Sequence, residues 1–273
     1  MKLSCLPVSF FSEIIDGRMS VGDWSKMGSE IGLDAIDLSI LFVPDRSETG
    51  LATLREQIES TGMSVAMITS YPDFTHPEPS QRLKELELEI QVVQVARKLG
   101  AKMVRVTAGQ AHPQIGREDG IGWAVEGLTR LTELVKDTGV QLVYENHAKP
   151  GAWQYTDFSQ SPQIFLEIVR QTADCGLGIN FDTGNAATFA EDPLILLESV
   201  INRVVSIHAS DSSTRGVLNH TLLGKGITPY QELFTRLKRH GWDGWICMEE
   251  ASNLGKLGVE EAASFIRKTW ETA

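Results

Sequence analysis

Short apolar runs alternate with longer amphipathic stretches along the whole chain. A compact run of apolar and β-branched residues reads as a buried strand, whereas apolar positions three and four residues apart read as one buried face of a helix. On this pattern strands are predicted at residues 3–8, 35–39, 64–69, 103–107, 141–146, 178–182, 204–209 and 245–250. Helices are predicted after them at 20–31, 49–60, 80–99, 121–137, 161–172, 193–201, 228–239 and 259–269. Three helix starts carry proline at the first helical position, in Ser161-Pro162, Asp192-Pro193 and Thr228-Pro229. Proline fits there because the first turn leaves its N–H groups unbonded in any case. Gly32, Gly62, Gly100, Gly139, Gly176 and Gly241 each fall between a helix and the next strand, where a left-handed residue can end a helix without a Cβ clash.

Eight strand–helix units, with no linker or composition shift between them, predict an α/β fold in one domain over residues 1–273, the (β/α)8 or TIM barrel. Such a barrel takes about 250 residues, in agreement with the chain length. An open doubly wound sheet would carry a glycine-rich phosphate turn after an early strand. This chain instead has helix-ending glycines and a late Leu223-Gly224-Lys225-Gly226.

Composition narrows the partners. With 42% hydrophobic residues the chain can fill a barrel core. Its 36 acidic against 25 basic residues give a formal charge of -11, which repels a phosphate backbone and points away from nucleic acid toward a small-molecule substrate. Cys5, Cys175 and Cys247 sit far apart among apolar neighbours and read as reduced thiols, not as a disulfide frame or zinc knuckle. An N-terminus with Lys2 followed by Pro7, Glu13 and Asp16 makes a poor signal peptide, and no apolar run is long enough to span a bilayer. A cytoplasmic protein without a membrane partner is therefore expected. A homo-oligomer is compatible with the fold, and nothing in the sequence fixes the number of chains.

In a barrel of this kind the strand C-termini form the active face. The stretch Gln141-Leu142-Val143-Tyr144-Glu145-Asn146-His147 runs from apolar residues straight into a carboxylate, an amide and an imidazole. Burying a charge at a strand end is costly unless the charge is used. The runs ending in Asp182, His208 and Glu249 repeat the pattern. By alternation Glu145 faces inward with Val143, Asp182 with Asn180, His208 with Ser206, and Glu249 with Cys247, while Glu250 turns toward the helices. Successive gaps of 37, 26 and 41 residues place one of these groups on each of strands five to eight. Three carboxylates and one imidazole form a hard-to-borderline donor set with room for further ligands. They suit one divalent ion, Mn2+ first, with Mg2+, Co2+ or Zn2+ as alternatives. The histidines sort in the same way: His76, His112, His147, His208 and His220 follow strands three, four, five and seven, and only His240 lies at a helix end.

Glu145-Asn146-His147, Asp182-Thr183-Gly184-Asn185, His208-Ala209-Ser210-Asp211, Leu223-Gly224-Lys225-Gly226 and Met248-Glu249-Glu250 together resemble the xylose isomerase-like barrel superfamily of sugar isomerases and epimerases. The resemblance covers the whole chain and is strongest to the branch of ketose 3-epimerases, hydroxypyruvate isomerase and inosose-handling enzymes. It implies that Glu145 and Glu249 bind the metal and also act as acid and base. One departure stands out. Many relatives carry a histidine three residues after the strand-six aspartate, and this chain has Asn185, which can bind a hydroxyl but is a poor metal ligand. Endonuclease IV shares the barrel and uses three zinc ions, for which His76, His112 and His220 would be the added ligands. Asn185 and the acidic balance argue against that phosphodiesterase reading.

The expected activity is therefore a metal-dependent sugar or polyol isomerase or epimerase that removes a proton next to a carbonyl through a metal-stabilised enediolate, with Glu145 and Glu249 as the acid/base pair. A keto-sugar or inosose dehydratase shares the first step, and a non-catalytic sugar-binding barrel is the third reading. His147, Asn185, Arg215, His112 and Trp153 are the candidate substrate-binding residues, with Lys149 on the same loop as His147. No Gly-x-Ser-x-Gly elbow and no inward strand lysine is present to support serine-hydrolase or Schiff-base chemistry.

Overall fold

The computed structural model describes residues 1–149 and 151–273. Its strands are β1 (Lys2–Leu6), β2 (Ile36–Ser39), β3 (Val65–Thr69), β4 (Met103–Val106), β5 (Gln141–Glu145), β6 (Gly178–Asp182), β7 (Val204–Ala209) and β8 (Trp245–Glu249). The helices are α1 (Phe11–Ile15), α2 (Val21–Ile31), α3 (Glu48–Glu59), α4 (Pro79–Leu99), α5 (Arg117–Val135), α6 (Pro162–Gln171), α7 (Thr183–Phe189), α8 (Pro193–Val200), α9 (Tyr230–Arg239) and α10 (Lys256–Thr272). Each strand pairs in parallel with its neighbour in sequence from β2 to β8, and β8 pairs with β1. This is the (β/α)8 barrel that the alternating pattern predicts.

The ring is closed differently at one place. Between β1 and β2 the contacts are made in part by side chains: the Leu3 N–H donates to Asp34 Oδ2 at 2.8 Å, the Asp34 N–H to the Leu3 carbonyl at 2.9 Å, and Ser4 Oγ to Asp37 Oδ2 at 2.7 Å. The β2–β3 ladder also shifts register between Ile36 and Asp37. Such a slip re-aims the side chain next to it.

All six helix-ending glycines adopt the left-handed conformation, with φ between 73° and 84°. The predicted proline start at Thr228-Pro229 is corrected: α9 begins at Tyr230 and Pro229 is its capping residue. The Thr228 N–H is drawn off by Asp211 Oδ1 at 3.0 Å, which holds this segment as loop. Helix α5 begins at Arg117, four residues earlier than the apolar periodicity suggests, because Glu118 and Asp119 favour a first turn electrostatically. Two short helices, α1 and α7, were not predicted. In α7 the Thr183-Gly184-Asn185 segment has turn-like composition, but the Asp182 carboxylate accepts the Asn185 N–H at 2.6 Å and caps it as a helix.

The core has two parts. Trp24, Tyr144, Phe165, Phe181 and Phe234 pack between strands and helices. Met67, Met103, Val143 and Cys247 form a separate cluster, placed inside the barrel by strand alternation. Many other buried residues of inward parity, among them Ser4, Asp37, Arg105, Glu145, Asn180, Asp182, Ser206 and His208, are polar or charged. The layer between strands and helices thus stabilises the fold, while the upper barrel interior is given over to polar groups. Phe165→Ala, removing a fully buried ring stacked 5.3 Å from Tyr144, is expected to cost about 3–5 kcal/mol, read as a lower urea midpoint at unchanged slope.

Candidate metal centre and cavity

Four strand ends deliver the site. Ladder partners bring Glu145 beside Asn180, Asp182 beside His208, and His208 beside Cys247. Among the described residues, Glu145, Asp182 and His208 offer ligand atoms that all lie within 4.8 Å of one another. Glu249 joins through His208, whose Nδ1 is 3.1 Å from Glu249 Oε1 and 3.2 Å from Glu145 Oε2. Neighbouring ligand atoms around a divalent ion with bonds of about 2.1 Å stand about 3 Å apart, so these spacings fit one ion. Both ring nitrogens of His208 and Oε1 of Glu145 are buried without a hydrogen-bond partner, as expected of donors meant for something other than protein.

The four groups are held unequally. Arg105, buried on β4, sets its Nε 2.8 Å from Glu145 Oε2, gives Nη1 to the Ser70 carbonyl at 2.8 Å and lies 4.8 Å over the Tyr71 ring. On the other flank Asn180 Nδ2 donates to Glu145 Oε2 at 3.2 Å, and the amide is oriented by Ser206 Oγ at 2.7 Å. Asp182 accepts from Ser210 Oγ at 2.9 Å in addition to capping α7. Gly184 permits this approach, since a Cβ there would stand 2.3 Å from Ser210 Oγ. Asn146 points away from the axis and clamps the Asp182 backbone with two 2.8 Å bonds. Glu249 has His208 as its ion-pair partner and is partly open to the cavity.

Electrostatics follow from this arrangement. Burial works against ionisation of Glu145, but Arg105 and His208 overcome it and hold the carboxyl below its usual range. Glu249 is likewise opposed by burial yet drawn down to about 2, chiefly by His208. Asp182 is pushed well above the carboxylate range by burial and by the two glutamates. His208 is pushed well up, because Glu249 and Glu145 outweigh its burial.

A cavity of about 450 Å³ opens beside these residues, lined by Arg105, His147, Asn185, His220 and Glu249 on one side and by Leu6, Val8, Phe11 and Leu41 on another. Of the residues singled out in the sequence, His147, Asn185 and Lys149 reach it. Asn185 Oδ1 is buried with no partner. Trp153 packs edge-on behind His147, with ring centroids 6.1 Å apart. His112 turns its Nε2 to Asp73 at 2.8 Å and its ring edge to His76 and Tyr155. Arg215 donates to the Ala190 and Glu191 carbonyls at 3.2 and 3.1 Å. Asp211 accepts backbone N–H groups of Gly224, Gly226 and Thr228. Among the described residues, His112, Trp153 and Arg215 are not in the cavity lining. His76, His112 and His220 do not gather into a second metal group there. Arg105 was missed by sequence reasoning, although an arginine inside the apolar run Met103-Val104-Arg105-Val106 is the same signal that marks Glu145.

The fold and site define a (β/α)8 barrel whose polar mouth brings Glu145, Asp182 and His208 close enough to hold an ion. Residues 26–269 match the family described as xylose isomerase-like TIM barrel, and the chain belongs to it. Inosose dehydratase of Lacticaseibacillus casei is 26% identical over 158 residues, covering 52% of this chain and 51% of that protein. The chain therefore spans about half the length of that relative. Among solved structures, D-psicose 3-epimerase with D-tagatose from Clostridium cellulolyticum H10 superposes with a TM-score of 0.79 at 13% identity, covering 99% of both chains. The IolI protein with a bound zinc atom gives 0.78 at 17% identity, over 98% of this chain and 96% of that one. No helix of the described residues is long and apolar enough to cross a membrane.

Behind Arg105, Ser70 Oγ donates to Glu89 Oε2 at 2.7 Å, and burial raises the Glu89 carboxyl from 4.5 to about 8. The folded state keeps this proton while the unfolded chain releases it above about 4.5, so the stability tied to Glu89 falls as pH rises from about 4.5 to 8. Glu89→Gln is expected to leave stability near wild type at pH 5 and to raise it by the order of a few kcal/mol at pH 8.5, measured by urea unfolding at both values.

Proposed function

We propose that this protein holds one divalent metal ion on Glu145, Asp182, His208 and Glu249 and catalyses proton removal next to a carbonyl in a sugar or polyol. The observation that carries the reading is the convergence of these groups on the His208 Nδ1 position, with two glutamate oxygens 3.1 and 3.2 Å away. A bound ion would polarise the substrate carbonyl and stabilise the negative charge that develops as the proton leaves. Manganese suits the oxygen-rich donor set, with magnesium, cobalt and zinc as alternatives.

Each residue then has a task. Glu249 is ionised and open to the cavity, ready to accept the proton at its carboxylate. Glu145 stands on the other side of His208, because β5 and β8 flank β6 and β7 in the ring. A pair so placed suits removal of a proton on one side of the substrate and its return on the other, as epimerisation requires, while either carboxylate working on a single face would suit an aldose-ketose shift. Asn185 Oδ1 and His147 face the cavity where substrate hydroxyls need partners. The second reading, dehydration of a keto-sugar or inosose, is favoured by the name of the half-length relative. It shares the first step and differs in the departure of a hydroxyl. A homo-oligomer is compatible with either.

Incubation with Mn2+ and a panel of ketoses and 2-keto-inositols in deuterated water tests both readings. Deuterium next to the carbonyl in recovered substrate or epimer is expected; loss of water from the product selects the dehydratase, and no exchange with any member of the panel would reduce the protein to a binder. Glu249→Gln is expected to lower the exchange rate by about 10²–10⁴ with the far-ultraviolet circular dichroism unchanged.

A further inference from the structure

Asp37 is a fully buried carboxylate on β2, inside the barrel, with no basic side chain bonded to it. One oxygen accepts Ser4 Oγ at 2.7 Å. The other, Oδ1, has no hydrogen-bond partner. The Cys247 side chain and the Met67 backbone also lie close enough to favour its charged form, but a buried carboxylate with no basic partner is a liability for folding, so its position asks for a use. Strand register shows what lies next to it: His208 pairs with Cys247, Cys247 pairs with Ser4, and Ser4 holds Asp37. These four side chains form one inward course from the metal centre around to β2. The register slip between Ile36 and Asp37 re-aims the aspartate at that point.

His208 presents the complementary need. Its Nδ1 is committed to the side of Glu145 and Glu249. An imidazole that gives one nitrogen to a metal carries its proton on the other, and that N–H requires an acceptor which fixes ring and tautomer. Here Nε2 is buried and unpartnered. The charge of His208 is also felt at Asp37, where it offsets part of the burial that raises the carboxyl to about 6.

We infer that Asp37 is a positioning residue for the metal centre: its free oxygen serves the Nε2–H side of His208 through one bridging solvent molecule, and its charge strengthens cation binding on the opposite nitrogen. This rests on the metal-binding reading above. The aspartate then weakens the metal-free fold and strengthens the metal-bound one, two effects of opposite sign on one residue.

The test compares wild type, Asp37→Asn and the apolar Asp37→Leu at pH 8. Free Mn2+ is followed by electron paramagnetic resonance during titration of metal-stripped protein, and the melting temperature is recorded with and without Mn2+. Both variants are expected to bind Mn2+ about 10–100-fold more weakly, while metal-free Asp37→Asn melts at or a few degrees above the wild-type temperature. Mn2+ affinity of the variants within twofold of wild type would overturn the inference and leave the metal reading standing. So would metal-free variants that melt well below wild type or fail to fold, since Asp37 would then serve the scaffold. A wild type that takes up no Mn2+ would overturn both.

Discussion

Everything at the mouth of this barrel depends on burying Glu145, Asp182 and Glu249 around one imidazole. Three carboxylates cannot share so small a space in low dielectric without compensation, and the chain supplies it from several strands. Arg105 brings a charge from β4, Asn180 and Ser206 bring oriented dipoles from β6 and β7, and Ser210 with the first turn of α7 serves Asp182. What remains after these contributions is a net negative pocket with unpartnered donor atoms. A divalent cation is the simplest species that completes it.

The same demand explains the contrast between the two layers of the molecule. The space between strands and helices is filled with large apolar side chains and can tolerate ordinary hydrophobic packing. The upper barrel interior cannot, because each polar group there needs a partner of matching geometry. Rigid strands, not loops, carry the donors, which holds them near their working positions before any ligand arrives. Glu249, more loosely held and facing the cavity, is the exception, and it is the group given the moving proton in the proposed reaction.

The fold was legible because its punctuation is local. A glycine between helix and strand, found at six of the junctions, and the apolar run after it are read within a few residues, and eight strand–helix units leave little choice of architecture. The gathering of Glu145, Asp182, His208 and Glu249 at the barrel mouth was legible for a related reason: strand alternation is a fixed period, so a charge at a strand end declares which way it points. Arg105, which closes the electrostatics of Glu145, obeys the same alternation, yet a cation in mid-strand was passed over in favour of residues at strand ends. The parts that stayed hidden depend on long-range geometry. Arg215 bonds two loop carbonyls and His112 bonds Asp73, choices made by loop shape and invisible in spacing. Helix α7 was hidden because its cap is the carboxylate already assigned to the metal.

The seam between β1 and β2 has a wider meaning. Elsewhere the ring is stitched by ladders of many equivalent backbone bonds, so no single side chain can open it. At this one join Asp34 takes up part of that duty by accepting the Leu3 N–H, and strand identity there is written in a side chain that mutation can reach. The barrel thus has a clasp, and the buried Asp37 stands beside it with its side chain inside the barrel. Mechanical closure of the scaffold and the chemistry of its mouth are joined through a few atoms, so selection acting on either will be felt by the other.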